Sequence, residues 1–81
     1  MIVEKTVRFT YPKHLLNQPL VYKLIRDFDL LTNILDAHVT ADEGQLLLLV
    51  RGEDEQLKRG LAWIAEQGVQ VEFEAQGAEE P

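Results

Sequence analysis

The chain has 81 residues, 46% of them hydrophobic and 27% charged, enough for one small domain. It has no cysteine, which excludes a disulfide framework, a thiolate nucleophile, a zinc finger and a cysteine-held iron–sulfur cluster. Its net charge of −6, divided as +4 over residues 1–26 and −10 over residues 27–81, argues against nucleic-acid backbone binding as the main task.

Residues 2–11 alternate: Val7, Phe9 and Tyr11 fall on one side, Thr6, Arg8 and Thr10 on the other. That period-2 pattern predicts a half-buried strand, which Pro12 ends. After a connection over 13–19, Asn17 or Gln18 is placed to cap a helix. Its apolar positions Leu20, Val21, Leu24, Ile25, Phe28 and Leu31 trace one stripe at 3.6 residues per turn. Residues 32–41 alternate again, with Leu35, Ala37, Val39 and Ala41 on one side and Ile34, Asp36, His38 and Thr40 on the other. Asp42-Glu43-Gly44 reads as a tight turn with Gly44 at positive φ. Residues 45–51 are apolar on both sides, and Gly52 breaks that strand. Glu53–Gln67 reads as a second helix, with acids at its positive end and a stripe of Leu57, Gly60, Leu61, Ile64 and Ala65. Gly68 suits the position just past its end. Val69, Val71 and Phe73 alternate with Gln70, Glu72 and Glu74 as a last strand. One domain over residues 1–75 and a disordered polar tail over 76–81 are expected.

This order predicts an α+β fold, a ferredoxin-like βαββαβ sandwich. Both helices pack on one face of a four-stranded antiparallel sheet. The other face is then open. With Asp36 opposite Arg51, Leu46, Leu48 and Val50 join Ala37, Val39 and Ala41 in the core, and Leu47 and Leu49 lie on the open face with Ile34. A one-residue slip exposes Leu46, Leu48 and Val50 instead. A solvated sheet face reads polar. The leucines therefore point to a covering copy of the chain or a partner protein, with Leu47, Leu49, Ile34 and Arg51 as the contact face. The alternative is a monomer in which long side chains such as Arg8 and Arg51 shield them.

Chemistry-bearing motifs are sparse. His14 and His38 are far apart, so no metal site is expected. There is no serine or cysteine nucleophile, and the glycines form no phosphate-binding pattern. An enzyme is not expected, nor is any cofactor. RNA-recognition modules share the element order, but they stack bases on aromatics of the first and third strands. Here the third strand is aliphatic. The longest aliphatic run is Leu46–Val50, against ~20 residues for a bilayer span. No membrane insertion and a cytoplasmic location are the expectations.

Asn33-Ile34-Leu35 opens the second strand, after a helix ending in Phe28-Asp29-Leu30-Leu31. The Gly44 turn, Gly52, Leu61-Ala62-Trp63-Ile64 and Gly68-Val69-Gln70-Val71-Glu72 follow. Over residues 3–74 this run resembles the NIL domain, a family named for that tripeptide and related in shape to ACT regulatory domains. The resemblance implies a sensor. In bacterial methionine importers, paired NIL domains at the ATPase C-terminus bind methionine and inhibit transport. It also implies that Asn33 contacts the amino acid, with Ile34 and Leu35 completing the motif. His38, from its strand position, and Arg8, as a positive group on the open face, join them as candidate ligand residues. The 81 residues hold no ATPase domain of their own, so regulation is expected to act through a homodimer or a larger partner. The alternative is an interaction module without a metabolite, accessory to sulfur-amino-acid metabolism or transport.

Overall fold

In the computed structural model, which describes residues 1–74, the chain runs β1 (Ile2–Pro12), a 3₁₀ turn (Lys13–Leu15), α1 (Leu20–Phe28), β2 (Leu31–Val39), β3 (Glu43–Glu53), α2 (Asp54–Glu66) and β4 (Gln70–Phe73). The strands form one sheet in the order β2-β3-β1-β4, and every pairing is antiparallel. This is the expected ferredoxin-like sandwich. The tail expected from residue 76 lies outside the described residues.

The core follows from the alternation in β1. Val7, Phe9 and Tyr11 are buried, and the register sets them opposite Leu48, Leu46 and Gly44 of β3. Leu20 and Leu24 of α1 close over them with Leu57, Leu61 and Ile64 of α2, joined by Leu15, Leu30 and Val69. Phe28 and Trp63 link the helices with ring centroids 5.9 Å apart. All of these face one side of the sheet, and among the described residues no helix lies on the other side. Ala65, expected in the α2 stripe, is exposed.

The ends of the elements depart from the sequence reading at several points. Helix α1 stops at Phe28, where Asp29 adopts a left-handed conformation (φ 54°) and its N–H bonds the Ile25 carbonyl. Leu31, expected on the helix stripe, is therefore the first residue of β2. Neither Asn17 nor Gln18 caps α1; Pro19 precedes it, without a side-chain cap. Gly44 is no turn residue. It lies inside β3, buried, and a Cβ there would meet Leu16 at 2.9 Å, so its smallness is what matters. Thr40 makes the turn instead: its N–H donates to the Glu43 carbonyl at 2.8 Å, and its Oγ1 accepts from the N–H groups of Asp42 and Glu43. Gly52 does not break β3 either; it is buried within the strand, where a Cβ would strike Leu30. Gly68 holds a positive φ of 107° past α2, as its place after the helix predicts.

The hairpin register also differs. Leu31, not Asp36, lies opposite Arg51, and Asp36 lies opposite Leu47. The pairing shifts between Ile34 and Asp36, so Leu35 is the extra residue of a β-bulge. One extra residue reverses the alternation. Ile34 pairs with Leu48 and takes the helix side of the sheet, while Asp36 and His38 keep the open side. Ala37 and Val39 take the helix side as expected but are exposed, because neither helix packs over β2. Ala41, expected in the core with them, is exposed in the turn.

Candidate functional site

Pairing sorts the candidate residues by face. Leu31, Asn33, Asp36 and His38 of β2 share the open face with Gln45, Leu47, Leu49 and Arg51 of β3. Glu4, Thr6, Arg8 and Thr10 of β1 lie beyond them, and Glu72 of β4 beyond those. The structure thus brings Asn33, His38, Arg8, Leu47, Leu49 and Arg51 to one surface. It sends Ile34 to the other face and leaves Leu35, 46% exposed, at the bulge.

Asn33 is exposed opposite Leu49, and its amide makes no hydrogen bond with another described residue. His38 is exposed two rungs further along, opposite Gln45. Arg8 is two strands away and engaged: its Nε donates to the Glu74 carboxylate at 3.3 Å, and Glu72 sits directly opposite it. Around that pair the face is partly closed. Thr6 is 2% exposed although it points away from the helices, and Leu47 and Leu49 are half-buried. Within one chain, then, neighbouring side chains shield these leucines in part. The large exposed aliphatics collect on β2 instead: Leu31, Ile34, Leu35 and Val39, with Leu31 at 69% and Val39 at 65%. β2 is an edge strand, so its outer backbone groups face solvent together with those side chains.

Leu31 and Arg51 border an open hollow of about 590 Å³ with Ile2, Asp29, Gly52 and Glu53. Sequence reasoning missed Leu31 as a site residue because the apolar stripe of α1 runs through it without a gap. The signal was Asp29, a residue type that tolerates a left-handed helix end. Two further grooves lie on the helix side. One, of about 220 Å³, runs between the start of α1 and the β2–β3 hairpin and is lined by Tyr11, Leu16, Pro19, Val39 and Leu46 among others. The other, of about 550 Å³, lies between α2 and β4, with Leu57, Leu61, Val71 and Phe73 on its walls and Lys5 and Lys58 beside them. Burial pushes the Tyr11 phenol up to about 12. Arg26 holds the neighbouring Asp27 carboxyl below its ordinary value. Among the described residues no group of three or more His, Cys, Asp or Glu side chains is placed to hold a metal ion. No helix among them is long and apolar enough to cross a membrane.

Comparison with known proteins agrees with this architecture. The methionine import ATP-binding protein MetN of Helicobacter hepaticus is 39% identical over 58 residues, covering 67% of this chain and 16% of that protein. Its Coxiella burnetii counterpart is 34% identical over 70 residues, covering 82% of this chain and 20% of that protein. That of Lacticaseibacillus paracasei is 30% identical over 73 residues, covering 85% and 21%. The chain spans about a fifth of the length of these curated relatives. Among solved structures, the C-terminal domain of an ABC transporter ATP-binding protein from Enterococcus faecalis superposes with a TM-score of 0.77 at 14% identity. The match covers 89% of this chain and 84% of that one, and shows a shared fold. The NIL domain model matches residues 5–73, from the first strand to the last, and with that span the chain belongs to the NIL domain family.

Proposed function

We propose that this chain is a regulatory domain, without catalytic activity of its own, that binds a small amino acid, methionine foremost. In this reading the ligand sits on the open sheet face around Asn33, in the cytoplasm. Its occupancy is passed on through a second copy of the chain or a larger partner. The observation that carries the reading is Asn33 itself: an exposed amide, free of partners among the described residues, between the aliphatic side chains of Leu31 and Leu49. An amide supplies both a donor and an acceptor, and a small amphiphilic ligand needs a few such groups beside an apolar wall. The names of the relatives, methionine import ATP-binding proteins, support the choice of ligand.

Isothermal titration with L-methionine tests it. Saturable heat is expected, and Asn33→Ala should weaken binding by roughly 3–10-fold, the worth of one net hydrogen bond. Flat heats up to millimolar methionine would remove the ligand from the reading. The exposed aliphatics of β2 favour a second reading, an interaction module with no metabolite. It predicts a larger protein that co-purifies stably and is released by Ile34→Lys while methionine has no effect.

A further inference from the structure

We propose a second binding site, on the helix side of the sheet between α2 and edge strand β4, for an aliphatic monocarboxylate of medium chain length, with Lys5 as its cation. The site is independent of the ligand reading above, because Asn33 lies on the opposite face. The groove there has a volume of about 550 Å³, the size of a small-molecule site. One wall is α2, where Leu57, Leu61 and Ala62 recur at helical spacing. The other is β4, whose Val71 and Phe73 alternate onto the same side. Phe73 is 63% exposed, so this wall is open to an apolar ligand. The α2 wall runs from Asp54 to Ala62, about 12 Å at 1.5 Å per residue, which suits an extended chain of octanoate or decanoate length.

Lys5 decides the head group. It lies opposite Val50, a fully buried core residue, and so projects toward the helix layer rather than the open face. The β1–β4 pairing ends at Val7, two residues before Lys5, so the lysine borders the groove where the strand pairing stops. The charges beside it are already matched. Lys58 pairs with Asp54 at 3.3 Å, and the nearby Met1 ammonium pairs with Glu53 at 2.7 Å. Lys5 is exposed and makes no hydrogen bond or ion pair with another described residue. Of the three charged residues that line the groove, Lys5, Asp54 and Lys58, one positive charge is left unmatched. A carboxylate placed there meets that charge at the solvent margin, while its chain covers Leu57, Leu61 and Phe73. A wholly apolar ligand would crowd the ammonium without giving it a partner. An inward-pointing lysine on a sheet edge can also serve only to deter strand pairing, and that role predicts no ligand.

Titration of the full chain with sodium hexanoate, octanoate and decanoate, and with octanamide as the uncharged counterpart of octanoate, separates the possibilities. Affinity should rise roughly 2–4-fold per added methylene, as burial of the chain implies. Octanoate should bind about 2–5-fold tighter than octanamide, the worth of an exposed ion pair. Amide NMR shifts should collect on Lys5, β4 and the first half of α2. Lys5→Gln should bring octanoate and octanamide together while keeping the dependence on chain length. Ala62→Glu, which puts a charge on the apolar wall, should weaken every compound. A preference for octanoate that survives Lys5→Gln, or shifts that collect elsewhere, overturns the assignment. Binding of none of the acids overturns the site and leaves Lys5 as a guard of the sheet edge. Lys5 and Ala62 are exposed, so equal thermal midpoints for the variants are expected and show that each is folded.

Discussion

Tyr11 carries a hydroxyl that is buried without a hydrogen-bond partner among the described residues. Its ring lies in the core beside Phe9, edge-on with centroids 6.3 Å apart, so the side chain is kept for packing. An orphaned buried hydroxyl is a cost, and Tyr11→Phe should leave stability at neutral pH equal or raise it by up to about 1 kcal/mol. Burial pushes the phenol up to about 12, against ~10 in an unfolded chain. Between these values the unfolded state has lost the proton and the folded state has kept it. The folded state then binds more protons, so stability falls as pH rises through this range, by about 2 kcal/mol from this group. Urea unfolding at pH 9 and pH 11.5 checks the sign: the wild type should lose that increment and Tyr11→Phe should not. Tyr11 was legible as a core residue from the alternation of β1. The fate of its hydroxyl was not, because Leu16, Val39 and Leu46, which line the groove beside it, come from three other segments.

Asp29 shows how one element's end is set. Its φ of 54° turns the chain out of α1 and lets Leu30 drop into the core over Gly52. A side chain in that conformation carries strain that glycine lacks. Asp29→Gly should therefore raise stability by roughly 0.5–1 kcal/mol, and Asp29→Ala should lower it, as read by thermal or urea unfolding. The same joint explains a misreading. From the sequence, the stripe Leu20, Leu24, Phe28, Leu31 continues without interruption, because 3.6-residue periodicity does not register a backbone that reverses hand. The bulge at Leu35 was hidden for a related reason. Alternation over residues 32–41 fits an unbroken strand, and nothing in Asn33-Ile34-Leu35-Asp36 marks an insertion. The core side of β1 was legible from its alternation; that of β3, apolar on both sides, hung on a register that only the pairing with β1 and β2 decides.

At the scale of the molecule, the uncovered surface is not quite where the pattern of leucines put it. Leu47 and Leu49 do lie on the open face, but Arg8, Glu74 and their neighbours leave them half-buried. Edge strand β2 instead bares Leu31, Ile34, Leu35 and Val39 across its two sides. A bare aliphatic edge favours pairing with another chain. If a second copy covers it, sedimentation equilibrium should show concentration-dependent dimers that Ile34→Lys weakens by at least about 10-fold. A monomer at all concentrations would leave a larger partner as the occupant. What the amino-acid sequence determined by itself was the order of elements, the two-layer sandwich, the family and the aliphatic character of β3. Each rests on local periodicity or on motifs read along the chain. Only the tertiary structure decided the register of β2, the face on which Ile34 lies, and the pairing of Arg8 with Glu74. Those depend on a one-residue bulge and on a contact between residues 66 positions apart. Pairing across strands is a long-range choice, and a shift of one residue exchanges the faces without disturbing the local pattern.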